Sequence, residues 1–245
     1  MTIPRAGRLF ILGMGPGDPE LVTVKAARIL AQTRLVAYFA KAGQRGHARR
    51  LAQAYLRAEA EELRFDYPLT VEIPHDDPRY RAEMLACYGA AAAAIAARLA
   101  EGADVALLCE GDPFFYGSAM YLFDRLRGDH VIEVVPGIPG MVGCWAAAQL
   151  PMTHGDDRLT ILPGTMAEAA LEAALAATEA AVIMKLGRNL AKVRRVLDRL
   201  GCTERALYVE RGTMADARIL PLAEMAGEPA PYFSMILLPG RQGAR

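Results

Sequence analysis

Histidine is scarce in this 245-residue chain: His47, His75, His130 and His154 are the whole complement. No two form an H-x-H or H-x-x-x-H pair, so the chain shows no histidine metal site. The four cysteines, Cys87, Cys109, Cys144 and Cys202, lie at least 22 residues apart. Zinc-ligand spacing is missing, and so long a chain needs no disulfide framework; they read as buried thiols acting as small apolar side chains. A P-loop is excluded, because no G-x-x-x-x-G-K-[ST] occurs. No serine sits in a G-x-S-x-G elbow, since Ser118 in "YGSAM" is followed by Ala119, and this argues against a hydrolase triad. Neither charge sign is in surplus, with 28 Lys+Arg against 28 Asp+Glu, which disfavours a nucleic-acid partner. The opening "MTIPRAGR" carries no apolar signal core. The run "YGAAAAAIAARLA" is broken by Arg98, short of the ~20 residues of a membrane span. A soluble cytoplasmic protein is expected.

What is abundant is apolar sequence, 53% of the chain, enough for one large or two small cores. Short β-rich runs at 8–13, 34–39, 60–65, 104–109 and 131–135 alternate with helical patterns near 19–32, 45–57, 79–100, 118–127 and 140–149. Near-continuous apolar strands separated by helices predict a parallel, doubly wound sheet. The polar break "LPMTHGDD" (150–157) ends that pattern. Strands at 158–163, 181–186, 206–210 and 233–238, helices at 166–177 and 189–200, a hairpin arm within 211–220 and a short helix at 221–226 follow. The expected fold class is therefore α/β, with an N-terminal domain over 1–152 and a C-terminal domain with a mixed sheet over 156–245.

The turn "GMGPGD" (13–18) resembles a nucleotide-phosphate loop but departs from one. Asp18 stands where the third glycine of G-x-G-x-x-G belongs. Its carboxylate suits a helix cap and repels a pyrophosphate, which weakens a nicotinamide dehydrogenase reading. Three more turns of this kind close strands: "CEGDPFFYGS" (109–118), "VPGIPG" (135–140) and "ERGTMAD" (210–216). Taken singly, each is explained by backbone needs. Together they fall at strand carboxyl ends, where open α/β sheets bind ligands, and they are expected to open on one cleft between the domains. Backbone groups, small residues and aromatics suit an uncharged or cationic organic cofactor.

In order and spacing, "GMGPGD", "EGDPFFYGS", "VPGIPG", "LPMTH" and "ERGTM" resemble the tetrapyrrole methylases over almost the whole chain. The resemblance implies a homodimer of two-domain subunits that uses S-adenosylmethionine, released as S-adenosylhomocysteine, with no metal, no nucleic acid and no membrane. The segments "DYPLT" (66–70), "GDPFFYGSAMYLFDRL" (111–126) and "VIMKLGRNLAKVRRVLDRLG" (182–201) narrow the implied substrate to precorrin-2, methylated at carbon 20 in cobalamin biosynthesis. Cobalt-precorrin-2 or another tetrapyrrole stays open as an alternative, as does a non-catalytic cofactor-binding sensor.

Carried over by position, the resemblance implies cofactor contacts from Pro16, Glu110, Gly111, Asp112, Tyr116, Ser118, Gly140, Leu186, Gly212, Ser234 and Met235. Glu110 replaces a commoner glycine, and Pro139 stands where the family often has Thr or Ser. Alignment of carbon 20 with the methyl–sulfur bond is then the main catalytic contribution, roughly 7–11 kcal/mol. Loss of the carbon-20 hydrogen calls for a base, for which Asp18 is the candidate, with a helix cap as the alternative; Tyr116 is the other catalytic candidate. Gly15 and Asp18 are expected beside the substrate. Arg45 and Arg49, with Lys41 and Arg50 close by, are candidates for its carboxylates.

Overall fold

The computed structural model describes residues 6–68, 77–225 and 229–240, which divide into two compact units, Met1–Gly140 and Met141–Arg245. The first contains β1 (Arg8–Gly13), α1 (Val24–Gln32), β2 (Leu35–Lys41), α2 (His47–Ala52), β3 (Glu61–Tyr67), α3 (Pro78–Ala100), β4 (Val105–Cys109), α4 (Ala119–Leu126) and β5 (Val131–Val135). Its five strands are all parallel, in the order β3-β2-β4-β1-β5. The central strands are apolar almost throughout because helices cover both faces. Leu12, Val36, Ala106 and Leu108 pack with Ala26, Leu30, Ala48 and Leu51 of α1 and α2. Leu9, Ile11, Ala37 and Leu107 pack with Tyr88, Ile95 and Leu99 of α3 and Leu122 of α4. Edge strand β3 alternates instead: Leu63, Phe65 and Tyr67 turn toward α3, while Glu62, Arg64 and Asp66 are exposed.

Helix α3 is 23 residues long and apolar enough by length and composition to cross a membrane. It is longer than the alanine run alone, because it starts at Pro78 behind the capping carboxylate of Asp77. Met84, Tyr88, Ala91, Ala92, Ile95 and Leu99 bury its inner face against the sheet. That packing is the mark of a core helix.

The second unit holds α5 (Gly140–Ala147), which starts on the last residue of the first unit, then β6 (Leu159–Pro163), α6 (Glu168–Ala176), β7 (Ala180–Met184), α7 (Leu190–Arg199), β8 (Leu207–Glu210), β9 (Arg218–Pro221) and β10 (Ser234–Leu238). Its sheet runs β6-β7-β10-β8-β9, with only β6 and β7 parallel, a mixed sheet as expected. Leu171 and Leu175 of α6 and Val193, Val196 and Leu197 of α7 cover one face. On the other, Cys144, Met141 and Trp145 of α5 pack with Val182, Val209, Met235 and Leu237.

Four sequence boundaries shift. The unit boundary falls at Gly140 rather than 152, because α5 is apolar on the side that meets the second sheet. The predicted helix 19–32 is two pieces: Asp18 caps a 3-10 turn over Pro19–Leu21, and Thr23 Oγ1 then accepts from Ala26 N at 3.2 Å to start α1. Helix 45–57 shortens to six residues. Strand 181–186 ends at Met184, because Lys185 takes a left-handed φ of 57° and Leu186 enters a 3-10 turn. Of the segment "DYPLT", Leu69 and Thr70 lie outside the described residues, as does His75.

Candidate active site

Three of the four singled-out turns meet backbone to backbone in the first unit. Met14 N donates to Cys109 O at 2.8 Å, and Gly15 and Gly111 form an isolated antiparallel bridge. A Cβ on Gly13 would lie 2.6 Å from Gly137 Cα and 2.7 Å from Gly111 O, and one on Gly137 would run into Gly111 O. Only glycine permits this approach. The junction sits where the sheet changes direction: α1 leaves β1 toward one face and α4 leaves β4 toward the other. Such a switch point leaves a crevice at the strand carboxyl ends. The fourth turn, 210–216, belongs to the second unit.

The junction's carboxylates differ in how they are used. Asp18 Oδ1 accepts from Glu20 N at 2.9 Å, so the side chain fixes the first turn as a cap. Asp112 Oδ1 accepts from Phe114 N at 2.9 Å and its Oδ2 from Gly137 N at 3.1 Å, which ties the turn after β4 to the one after β5. Glu110 is exposed, yet protein crowds it; that desolvation pushes its carboxyl up to about 7, against the pull of Arg50. Pro16 is half-buried beside Gly15, and Gly140 N lies 3.5 Å from where a Gly111 Cβ would be.

The aromatic end of the second turn carries strain. Tyr116 holds a left-handed φ of 55° while 47% exposed, a backbone state that L-residues keep only when their surroundings impose it. Ser118 is bound by two phenols, Tyr67 at 2.8 Å and Tyr88 at 3.1 Å. Tyr88 in turn stacks on Tyr121, with ring centroids 4.6 Å apart. Burial raises the Tyr88 phenol to about 12, and the Ser118 hydrogen bond offsets part of that. Sequence reasoning overlooked Tyr67 and Tyr88. Tyr67 lies in the segment "DYPLT" and Tyr88 opens the run "YGAAAAAIAARLA", and nothing local in either marks a shared partner at Ser118.

Arg49 is a correction. Its side chain is buried, donating from Nε and NH2 to Glu62 Oε1 at 2.9 and 2.6 Å and from NH1 to Gln53 at 2.8 Å. Tyr38 OH donates to the other Glu62 oxygen at 2.7 Å. The guanidinium is thus committed to tying α2 to β3. Arg45 and Arg50 are exposed.

In the second unit, Leu186 is 1% exposed and packs into the α6–α7 core, so its side chain is a core group and only its main chain is left to meet a ligand. A Cβ on Gly212 would meet Cys144 Sγ at 2.7 Å and Cα at 2.8 Å; the missing side chain makes room for α5. Ser234 is buried and its hydroxyl donates to Pro231 O at 2.6 Å. Met235 is buried between Met184 and Val209 on the α5 face of the sheet. Any ligand contact from Ser234 or Gly212 therefore runs through the main chain. Among the described residues, no three His, Cys, Asp or Glu side chains group as metal ligands.

Exposed aromatic rings on this turn, Phe114 and Tyr116, suit an uncharged or cationic organic ligand. The fold is α/β, and its glycine junction falls at a sheet switch point, where open α/β sheets commonly bind small organic ligands. The family model of the tetrapyrrole (corrin/porphyrin) methylases matches residues 8–226. The chain is 54% identical over 234 residues to a precorrin-2 C(20)-methyltransferase of Sinorhizobium sp, covering 96% of each chain. It is 29% identical over 237 residues to a cobalt-precorrin-2 C(20)-methyltransferase of Salmonella typhimurium, covering 95% of this chain and 96% of that one. The solved structure of a uroporphyrin-III C-methyl transferase from Thermus thermophilus, complexed with S-adenyl homocysteine, matches with a TM-score of 0.65 at 24% identity, over 94% of this chain and 92% of that one. The chain belongs to the tetrapyrrole (corrin/porphyrin) methylases.

Proposed function

We propose that this protein transfers a methyl group from S-adenosylmethionine to carbon 20 of precorrin-2, in cobalamin biosynthesis, as a cytoplasmic homodimer. The observation that carries the reading is the 54% identity to the Sinorhizobium enzyme across 96% of both chains. The lower identity, 29%, to the enzyme named for the cobalt-bearing substrate favours the metal-free one.

When bound, S-adenosylmethionine supplies an electrophilic methyl group on a positively charged sulfur. The chain's own task is placement. Gly13, Gly111 and Gly137 lock the three turns of the first unit into one rigid junction, and Asp112 holds two of those turns together. Rigid placement of a reacting pair is worth roughly 7–11 kcal/mol of the barrier. Pro16, Gly111, Tyr116 and Gly140 are assigned to the cofactor side of this junction. Gly15 and the loop held by Asp18 are assigned to the macrocycle, with Arg45 for its carboxylates, since an arginine fork matches a carboxylate.

Anaerobic turnover with S-adenosylmethionine and, in separate reactions, precorrin-2, cobalt-precorrin-2 and uroporphyrinogen III tests the substrate. The highest kcat/KM is expected for precorrin-2. A preference for either of the others would replace it.

A further inference from the structure

Methylation leaves carbon 20 with a hydrogen it must lose, and something must take that proton. We propose that Glu110 is the general base that does so; the proposal rests on the methyltransferase reading above. The carbon–carbon bond forms from the macrocycle's π electrons as the methyl–sulfur bond breaks toward sulfur. The carbon-20 C–H pair then returns to the conjugated ring and the proton passes to the Glu110 carboxylate.

The assignment follows from what the other titratable groups of the junction are doing. Asp18 is spent on Glu20 N. Both oxygens of Asp112 are spent on backbone amides, from Phe114 and Gly137. Cys109 is buried among the α3–α4 core, and burial drives its thiol far up. Tyr116 presents a phenol, a hydrogen-bond donor, from its strained turn. Glu110 is exposed and makes no hydrogen bond among the described residues. It directly precedes Gly111, whose backbone bridges to Gly15 at the switch point.

Its surroundings also tune it. Arg50, exposed at the end of α2, is the charge that acts on it and favours the carboxylate. Asp18 on the turn after β1 and Asp112 on its own turn are the junction's other carboxylates. Crowding opposes the charge, and the resulting value of about 7 lets Glu110 accept a proton near neutrality and release it afterwards.

The test compares wild type, Glu110→Gln and Glu110→Asp on precorrin-2 carrying hydrogen or deuterium at carbon 20, with cofactor affinity measured separately by calorimetry. For Glu110→Gln, S-adenosylmethionine binding within about threefold of wild type and kcat lower by roughly 10²–10⁴ are expected, with a larger deuterium isotope effect. The wild-type fall in kcat/KM below about pH 7 should vanish in this variant, and Glu110→Asp should recover part of the rate. A readout independent of activity is thermal stability: removing a desolvated charge should raise the melting temperature of Glu110→Gln above wild type at pH 8, and the difference should shrink toward pH 5. A Gln variant within roughly fivefold of wild type with the same pH limb overturns the proposal, as does one whose only defect is lost cofactor affinity. If the Gln variant does not fold, an Asp variant with an unshifted pH limb and isotope effect overturns it equally. If the wild type itself leaves carbon 20 unmethylated, the substrate reading is what has failed, and that is seen before any variant is measured.

Discussion

Gly15 and Gly111 exchange a reciprocal pair of backbone hydrogen bonds, Gly15 N to Gly111 O at 3.3 Å and Gly111 N to Gly15 O at 2.9 Å. The pair is an antiparallel bridge beyond the ends of the parallel strands β1 and β4, and it joins two turns almost a hundred positions apart. Gly137 closes the junction from the third side, its Cα facing Gly111 O and Gly13. Gly137→Ala places a methyl group against that backbone, and neither neighbour has a side chain that can swing away. Overpacking typically costs about 1–3 kcal/mol, and a purely backbone clash belongs at or above the top of that range. Urea denaturation should show the loss; a variant as stable as wild type would mean that the turns are further apart than described.

Asp112 is expected to act on stability and catalysis together. Asp112→Ala removes acceptors from Phe114 N and Gly137 N, and hydrogen bonds to a charged group are worth about 1.5–3 kcal/mol. Because those bonds tie two turns of the proposed cofactor site, S-adenosylmethionine affinity measured by calorimetry should fall as well. Loss of stability with unchanged affinity would separate the junction from the cofactor.

Arg49 and Arg45 should part company. Arg49→Ala strands Glu62, whose side chain is 35% exposed, so the cost falls between the ~1 kcal/mol of a surface pair and the ~3–5 kcal/mol of a buried one. Arg45→Ala should cost far less stability than Arg49→Ala, since Arg45 acts on Glu62 through its charge alone, and should raise KM for the tetrapyrrole. The pH behaviour has a definite sign. Burial alone would raise the Glu62 carboxyl, but hydrogen bonds from Arg49 and Tyr38 and the charges of Arg49 and Arg45 bring it net below its ordinary value. Its contribution is therefore present above the ordinary glutamate range and lost as pH falls through the lowered one. Wild type should lose that increment in acid, and Arg49→Ala should lack it at neutral pH already.

Ser118→Ala should cost more than its size suggests. It removes the shared partner of Tyr67 and Tyr88, and Tyr88 is 6% exposed. Leaving a buried hydroxyl unpaired costs about 1–3 kcal/mol. Tyr88→Phe, which removes the hydroxyl instead of stranding it, should cost less. Thermal unfolding of the two variants orders them, and equal losses would mean that Ser118 does not bridge the phenols.

The strands and most of the helices were legible because each apolar run has a period and an end that local chemistry enforces. Val105–Cys109 is apolar on both sides because helices cover both, and β9 pairs where a hairpin arm was expected. The break after Asp18 was not legible: Pro19 and Thr23 support either one helix or a 3-10 turn and a fresh cap, and only the fold decides. The glycine junction was legible because the main chain forms it, as at Gly111, whereas the surroundings of a side chain named by position were not. Leu186 and Arg49 look like ligand contacts in sequence because apolar and basic residues serve both roles. Burial assigns Leu186 to a core and Arg49 to an ion pair. Tyr88 was illegible for the opposite reason, since its significance lies in Ser118, a partner distant in sequence that it shares with Tyr67.

One product spectrum bears most directly on the whole account. Anaerobic incubation with precorrin-2 and S-adenosylmethionine labelled with carbon-13 in its methyl group should give a single enriched methyl resonance, coupled to carbon 20. A labelled methyl on any other carbon, or a bound cofactor that never gives up its label, would contradict it.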